Sequence, residues 1–434
     1  MPRTALSFIN VLVLGVLVTG CSLITLPVQE EGPRQLTLQE LMPYLIRLKP
    51  HAKEALALVR VPEAHKISIG AGVGVAVIDD FDGEGPDSHG LMVSAVIKAV
   101  APGAAIYKYD LNFNKDAYNF WKDVYEHMRD IIRHKDAFGI RVVNMSFGTR
   151  YYRSPAPCTL SELPELPPWF PPDRNWVNMI KEAKRTIEDA VDRGLFVVAA
   201  SGNRDLIEQL LNWLEIEKRF GSEYPPELPI PACIFKVVTV GAVYDSDKIP
   251  EGYEQAFKDS CLKPVEPKAD DVTCYSILTN TVDLLAPGSF WEIGQWTGEK
   301  TLEGTSYAAP TVAGIAALLL AVKDLPPNDL LRILAWKGKY IPVTVLGHNW
   351  KPYTKQITRV DALAALCEVS PESCNPKSEP TPSLAAQYDT NKNSKLDDSE
   401  ILKALDDWIR GKISDSEMMQ LLSCFITNRD VQSC

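Results

Sequence analysis

From residue 72 onward the chain alternates short, mostly apolar runs with amphipathic stretches, and no other feature limits its fold so strongly. GVGVAVID (72–79), AAIYKYD (104–110), RVVNMSF (141–147), LFVVAAS (195–201) and IFKVVTVGA (234–242) read as strands buried on both faces. Between them apolar residues recur at helical spacing, as at Val93, Val96, Ile97 and Val100, or Trp121, Val124, Met128 and Ile131. Strands alternating with helices predict an α/β fold, doubly wound around a mainly parallel sheet. In such sheets ligands gather outside the carboxyl ends of the strands, so polar residues there are the first candidates for a site.

The chain has 434 residues, 46% hydrophobic and 23% charged, which leaves room for one large domain and something small beside it. A net charge of −11 with no clustered Lys/Arg stripe argues against a nucleic-acid partner. Residues 1–20, MPRTALSFINVLVLGVLVTG, carry Arg3, an apolar run too short for a comfortable membrane span, and then small residues, the pattern of an export signal. The end of that segment, LVTGC, resembles the lipobox of bacterial lipoproteins. That resemblance implies cleavage before Cys21, acylation of its thiol, and anchoring to a bacterial membrane facing the periplasm or the exterior. A plain signal peptide followed by an incidental cysteine is the alternative.

Without Cys21, eight of the nine cysteines remain, an even number in an exported chain, so disulfides are expected. Cys367 with Cys374, Cys261 with Cys274, and Cys424 with Cys434 are close enough in sequence to close small loops, which would leave Cys158 for Cys233. Residues 21–68 form an N-terminal segment in which 38–59 reads as one or two helices. A main domain is expected over 69–366, interrupted by the proline-rich stretch 153–173 and by 204–231, both placed after strands where loops can shape a cleft. Residues 367–383 read as a linker, with NPKSEPTPS (375–383) its proline- and serine-rich part, and 384–434 as a small helical module.

GTSYAAP (304–310) runs straight into the apolar stretch TVAGIAALLLA. By itself Ser306 reads as a helix cap. A nucleophilic reading needs a base to take the hydroxyl proton and a group to hold that base. Asp79 ends one strand and His89 opens the next helix, so the turn between them brings both to the same edge of the sheet. Asn203 follows the strand LFVVAAS and its amide can donate to the negative oxygen of a tetrahedral intermediate; a cap or turn residue is its plainer role.

VAVID, SHGLMVSAVI, VVNMSFG, VVAASGN and GTSYAAP, in this order, resemble the successive signatures of subtilisin-like serine proteases over roughly residues 69 to 366. The resemblance implies that Asp79, His89 and Ser306 form a triad and that Asn203 lines an oxyanion hole with the Ser306 N–H. It also implies that Ser146, Phe147 and Gly148 border a cleft where an extended substrate pairs as an added strand. The sequence departs from that pattern in a short Asp-to-His connection and in Leu91, where threonine is common. Asp80 follows Asp79 directly as a rival for its role, and the acids near His89 are expected to raise its pKa. Residues 22–68 are short for the folded prosegment common in the family.

DTNKNSKLDDSE (389–400) resembles an EF-hand loop. That resemblance places Asp389, Asn391, Asn393, Asp397 and Glu400 as side-chain oxygen ligands of calcium, with Lys395 giving its backbone carbonyl. Ser394 stands where glycine is usual. The following KISDSEMMQLLSCFITN has no comparable ligand ladder. Two functions from different classes follow: a secreted serine endopeptidase acting on protein or peptide substrates, or a catalytically silent relative that uses the cleft and a calcium module to dock a protein partner. The chemistry itself requires no cofactor.

Overall fold

The computed structural model describes residues 32–82, 88–148, 158, 175–203, 228–247, 266–288, 304–346, 351–374, 383–409, 412–427 and 429–434. The segment read as an export signal, Cys21, most of 153–173, residues 204–227, Cys261 and residues 375–382 lie outside them. Residues Pro33–Cys434 form one compact unit.

Among the described residues one sheet runs in the order β1-β3-β2-β4-β5-β6-β7-β9-β8. Its strands are β1 (Arg34–Gln35), β2 (Gly74–Asp79), β3 (Ala105–Asp110), β4 (Ile140–Met145), β5 (Phe196–Ala200), β6 (Val238–Val243), β7 (Leu284–Pro287), β8 (Lys339–Leu346) and β9 (Pro352–Arg359). Only the outer pairs β1–β3 and β8–β9 are antiparallel. The rest of the sheet is parallel, as the apolar runs predict.

Side chains alternate across β2, and the alternation divides the core. Val75 and Val77 point into one apolar layer with α1 (Leu38–Leu58), α3 (His89–Val100) and α6 (Thr305–Val322). Ala76 and Ile78 point into the other, with α4 (Ala117–His134) and α5 (Asn175–Asp192). The chain leaves β2 to build β3 on one side and then returns to build β4 on the other. That reversal opens a crevice at the carboxyl ends of β2 and β4, where Asp79 and Ser146 lie.

Helix α6 is apolar all round because it crosses the middle of its layer. By composition it could span a membrane, with mean hydropathy 1.6, but 83% of it is buried in the protein. Segment 38–59 folds as one helix, α1, with Leu41, Leu45, Leu48 and Leu56 fully buried and Thr37 and Glu40 forming a reciprocal cap at its start. After α1 come α2 (Val61–Ala64) and, beyond the sheet's main helices, α7 (Pro327–Trp336), α8 (Ala362–Val369), α9 (Leu384–Tyr388), α10 (Asp398–Ile409) and α11 (Asp415–Thr427).

Helix α11 packs against α1, and α1 in turn against α3. A buried histidine ties these layers together. His65 Nε2 lies 2.8 Å from the carbonyl of Val100, which can only accept, so that nitrogen carries the proton and Ser423 Oγ donates to Nδ1 at 2.6 Å. Burial pushes the His65 pKa down to about 3 despite the bond to Val100, with Arg429 nearby adding to the depression. His65 therefore stays neutral at physiological pH.

Cys158–Cys233, Cys367–Cys374 and Cys424–Cys434 are bridged, three of the pairings expected from sequence. Cys274 is also disulfide-bonded.

Candidate active site

Asp79 is the last residue of β2 and wholly buried, while His89 is the first residue of α3 with its side chain 29% exposed. Ser88 caps α3, its Oγ accepting the Leu91 N–H at 3.2 Å, and the Gly90 N–H returns to the Asp80 carbonyl at 2.8 Å. A Cβ on residue 90 would sit 2.8 Å from the Phe81 ring, so glycine there lets the start of α3 lie against that ring.

His89 Nδ1 donates to Asp79 Oδ1 at 2.6 Å, and the Asp80 N–H reaches the same oxygen at 2.8 Å. Asp80 turns its own carboxylate to the Asp82 N–H at 3.0 Å instead. With Nδ1 committed, Nε2 is the nitrogen left to take a proton. Burial disfavours the imidazolium, but the charge of Asp79 and its hydrogen bond, with a further contribution from Asp80, outweigh it and hold His89 above the ordinary histidine value.

Ser306 is the second residue of α6 and half-buried. Its hydroxyl donates to the Ser146 carbonyl at 3.0 Å, and among the described residues no hydrogen bond joins it to His89. The His89 ring lies beside the next residue, with its centroid 6.4 Å from that of Tyr307. Catalytic hydrogen bonds are often long or turned away in a free enzyme and close only around substrate. Of the cleft residues, Ser146 and Phe147 bury their side chains and Gly148 is exposed. Phe147 packs against Phe120 and Phe113 at ring separations of 5.6 and 6.0 Å.

Asn203 follows β5 and is exposed. Its Oδ1 accepts both the N–H and the hydroxyl of Thr305, each at 2.8 Å, which fixes the amide so that Nδ2 is its free donor. A Cβ on residue 304 would lie 2.6 Å from that nitrogen, which accounts for the glycine of GTS. Thr305 in turn accepts the Gly202 N–H at 3.0 Å. Sequence reading passed over Thr305 although it sits inside the quoted motif. Buried Asn144 is a further residue of this kind, and its signal is an amide directly after the apolar pair Val142 and Val143 in β4.

The loop 389–400 is arranged differently. Asp389 accepts the N–H groups of Asn393 and Ser394 at 3.0 and 2.9 Å, Asn391 also accepts from Asn393 at 3.0 Å, and Asn393 accepts from Lys395 at 2.8 Å. Asp397 Oδ1 accepts from Ser399 and Glu400 at 2.9 and 3.1 Å. Glu400 is buried, with its two oxygens on Thr390 N at 2.6 Å and Asp397 N at 3.0 Å. Ser394 has φ 66°, the left-handed conformation that glycine supplies in such loops. Among the described residues no three His, Cys, Asp or Glu side chains gather as a metal site. The loop's own donors are all hard oxygens, which suits calcium in chemistry.

Residues 71–339 match the family model described as the Subtilase family. Over 85 residues the chain is 39% identical to Halolysin of Haloferax mediterranei, covering 19% of this chain and 15% of that protein. Over 93 residues it is 30% identical to the subtilisin-like serine protease Pen ch 13.0101 of Penicillium rubens, 21% of this chain and 23% of that one. The matched stretches are thus under a quarter of the length of either relative. Among solved structures, a lanthipeptide protease aligns with 77% of this chain and 96% of its own at 19% identity and TM-score 0.46. The MycP3 protease of the type VII (ESX-3) secretion system aligns with 72% and 87%, at 21% identity and TM-score 0.43.

Proposed function

This chain belongs to the subtilase family, and from that premise we propose that it is a serine endopeptidase whose nucleophile is Ser306, whose base is His89 and whose orienting acid is Asp79. The observation that carries the reading is the 2.6 Å bond from His89 Nδ1 to Asp79, which leaves Nε2 as the only ring nitrogen able to accept a proton. In the first step the Ser306 hydroxyl turns from the Ser146 carbonyl, gives its proton to His89 Nε2, and its oxygen attacks the substrate carbonyl. Buried Asp79 offsets the positive charge that forms on the imidazole. Asn203 Nδ2 and the Ser306 N–H donate to the carbonyl oxygen as it becomes negative. Collapse expels the amine, which takes its proton from His89, and water repeats the sequence on the acyl-enzyme.

Export and a lipid anchor at Cys21 complete the proposal, supported by the leader sequence and by disulfides that suit an oxidising compartment. The 389–400 loop would hold calcium through Asp389, Asn391, Asn393, Asp397, Glu400 and the Lys395 carbonyl. Calcium there would tie the loop together and supply no chemistry at the cleft. Helix α11 buries Met418, Leu421, Leu422 and Phe425 in the chain's own core, which favours a structural role for the module over docking to another protein.

One observation favours the catalytically silent alternative: the Ser306 hydroxyl rests on Ser146 rather than on His89. Incubating the purified full chain with a mixed peptide library and identifying products by mass spectrometry separates the two. New termini that are absent with Ser306→Ala support the endopeptidase; identical digests from both chains support the silent reading.

A further inference from the structure

Pro310 sits inside α6, four residues beyond Ser306. In an unbroken α-helix the carbonyl of Ser306 would accept the N–H of residue 310, and proline has none. The acceptor on the proposed nucleophile's own backbone therefore loses its helical partner. Ser146 Oγ fills the gap, donating to the Ser306 carbonyl at 2.9 Å. A hydroxyl has a single proton, so once it is spent there the Ser146 oxygen can only accept from its other neighbour. That neighbour is Asn144 Nδ2, at 2.9 Å.

Asn144 is fully buried in β4, in register with Val77 of β2 and Val198 of β5, where an apolar side chain would be expected. Among the described residues its buried Oδ1 has no hydrogen-bond partner and its nitrogen alone ties the amide to Ser146. Ser146 and Ser306 are thereby clasped twice, by Ser146 Oγ on the Ser306 carbonyl and by Ser306 Oγ on the Ser146 carbonyl.

We propose that Asn144 is a positioning residue for Ser306: it holds the Ser146 hydroxyl as a substitute for the N–H that Pro310 lacks, and so fixes the first turn of α6 against β4. The inference rests on the reading of Ser306 as nucleophile and adds to it a part played by residues that do not touch the reacting atoms.

The test is a double-mutant cycle between Ser146→Ala and Pro310→Ala in the full chain, read by the rate constant for fluorophosphonate labelling of Ser306, by kcat and KM on a peptide, and by melting temperature. Ser146→Ala is expected to slow labelling and kcat about ten-fold through misplacement of the nucleophile, with KM held within about two-fold. In the Pro310→Ala background residue 310 regains its N–H, and the same substitution is expected to cost less than about two-fold. Asn144→Ala should act in the same direction and add nothing on top of Ser146→Ala. Equal losses in both backgrounds, or none in either, would overturn the proposal. If the wild-type chain fails to label at Ser306, the protease reading falls, and the melting cycle still decides the relay. A melting loss from Ser146→Ala that disappears with Pro310→Ala supports it, and a loss that persists overturns it.

Discussion

The proposed catalytic edge and the C-terminal loop hold their polar groups by opposite means. At the edge, Asp79 and His89, Asn203, and Ser306 come from three separate junctions of the sheet, and the bonds fixing Ser306 reach 160 residues along the chain. In the loop, Asp389 and Glu400 are held by N–H groups no more than 10 residues away. The edge therefore exists only once the sheet is built, whereas the loop can take shape from its own turns. Damage to the edge should show in rate with little change in stability. Damage to the loop should show in stability with little change in chemistry.

The largest effect that would sharpen this contrast is Ser306→Ala, expected to lower kcat by roughly 10⁵- to 10⁶-fold with an unchanged melting temperature, as checked by peptide turnover and calorimetry. Asp79→Asn is expected to cost roughly 10⁴-fold, since the amide no longer holds His89 with its proton on Nδ1. Asn203→Ala should lower kcat roughly 100- to 1000-fold and leave KM nearly unchanged.

Glu400→Gln should instead abolish a calcium-dependent rise of about 2–5 °C in melting temperature, measured by calorimetry with and without chelator. If that variant lowered kcat as far as Asn203→Ala at a temperature where it is folded, the contrast would break. The coupling would then run through α11, Ser423 and His65 to the end of α3.

The smallest effect concerns pH. In the proposed mechanism His89 acts as a base only when neutral, so kcat/KM should fall as pH drops through its pKa, which lies above the ordinary histidine value partly because of Asp80. Asp80→Asn is expected to move that acid limb to lower pH. A profile shifted the other way, or unmoved, would remove Asp80 from the account.

Strands β2 to β6 were legible in the sequence because burial leaves mostly continuous apolar runs, such as FVVAA of β5 and GVAVID of β2. β7 escaped at four residues, LLAP, too short for a pattern to emerge. β9 escaped because PYTKQITR is polar; it becomes a strand only through pairing with β7 on one side and β8 on the other. Segment 38–59, read from sequence as one or two helices, is the single helix α1, running through Pro43 and Pro50 with buried Leu41, Leu45, Leu48 and Leu56 along it and packed against α3 and α11.

At the site, motif order brings Asp79, His89, Asn203 and Ser306 to strand and helix ends, where the sheet's topology gathers them. The sequence reading placed Asp79 beside His89 and left Asp80 as a rival. In the structure His89 bonds to the first of these adjacent acids and the Asp82 N–H to the second. Thr305 carries no signature of its own, since its partner Asn203 lies 102 residues away, and the amide of Asn144 marks its position in β4 without saying what it holds.

The most direct measurement is fluorophosphonate labelling of the full chain, with the adduct located by peptide mass spectrometry and Ser306→Ala as control. A stoichiometric adduct on Ser306 that disappears in the control is the expected result. A folded chain that leaves Ser306 unlabelled while a known serine protease labels in the same tube would contradict the account.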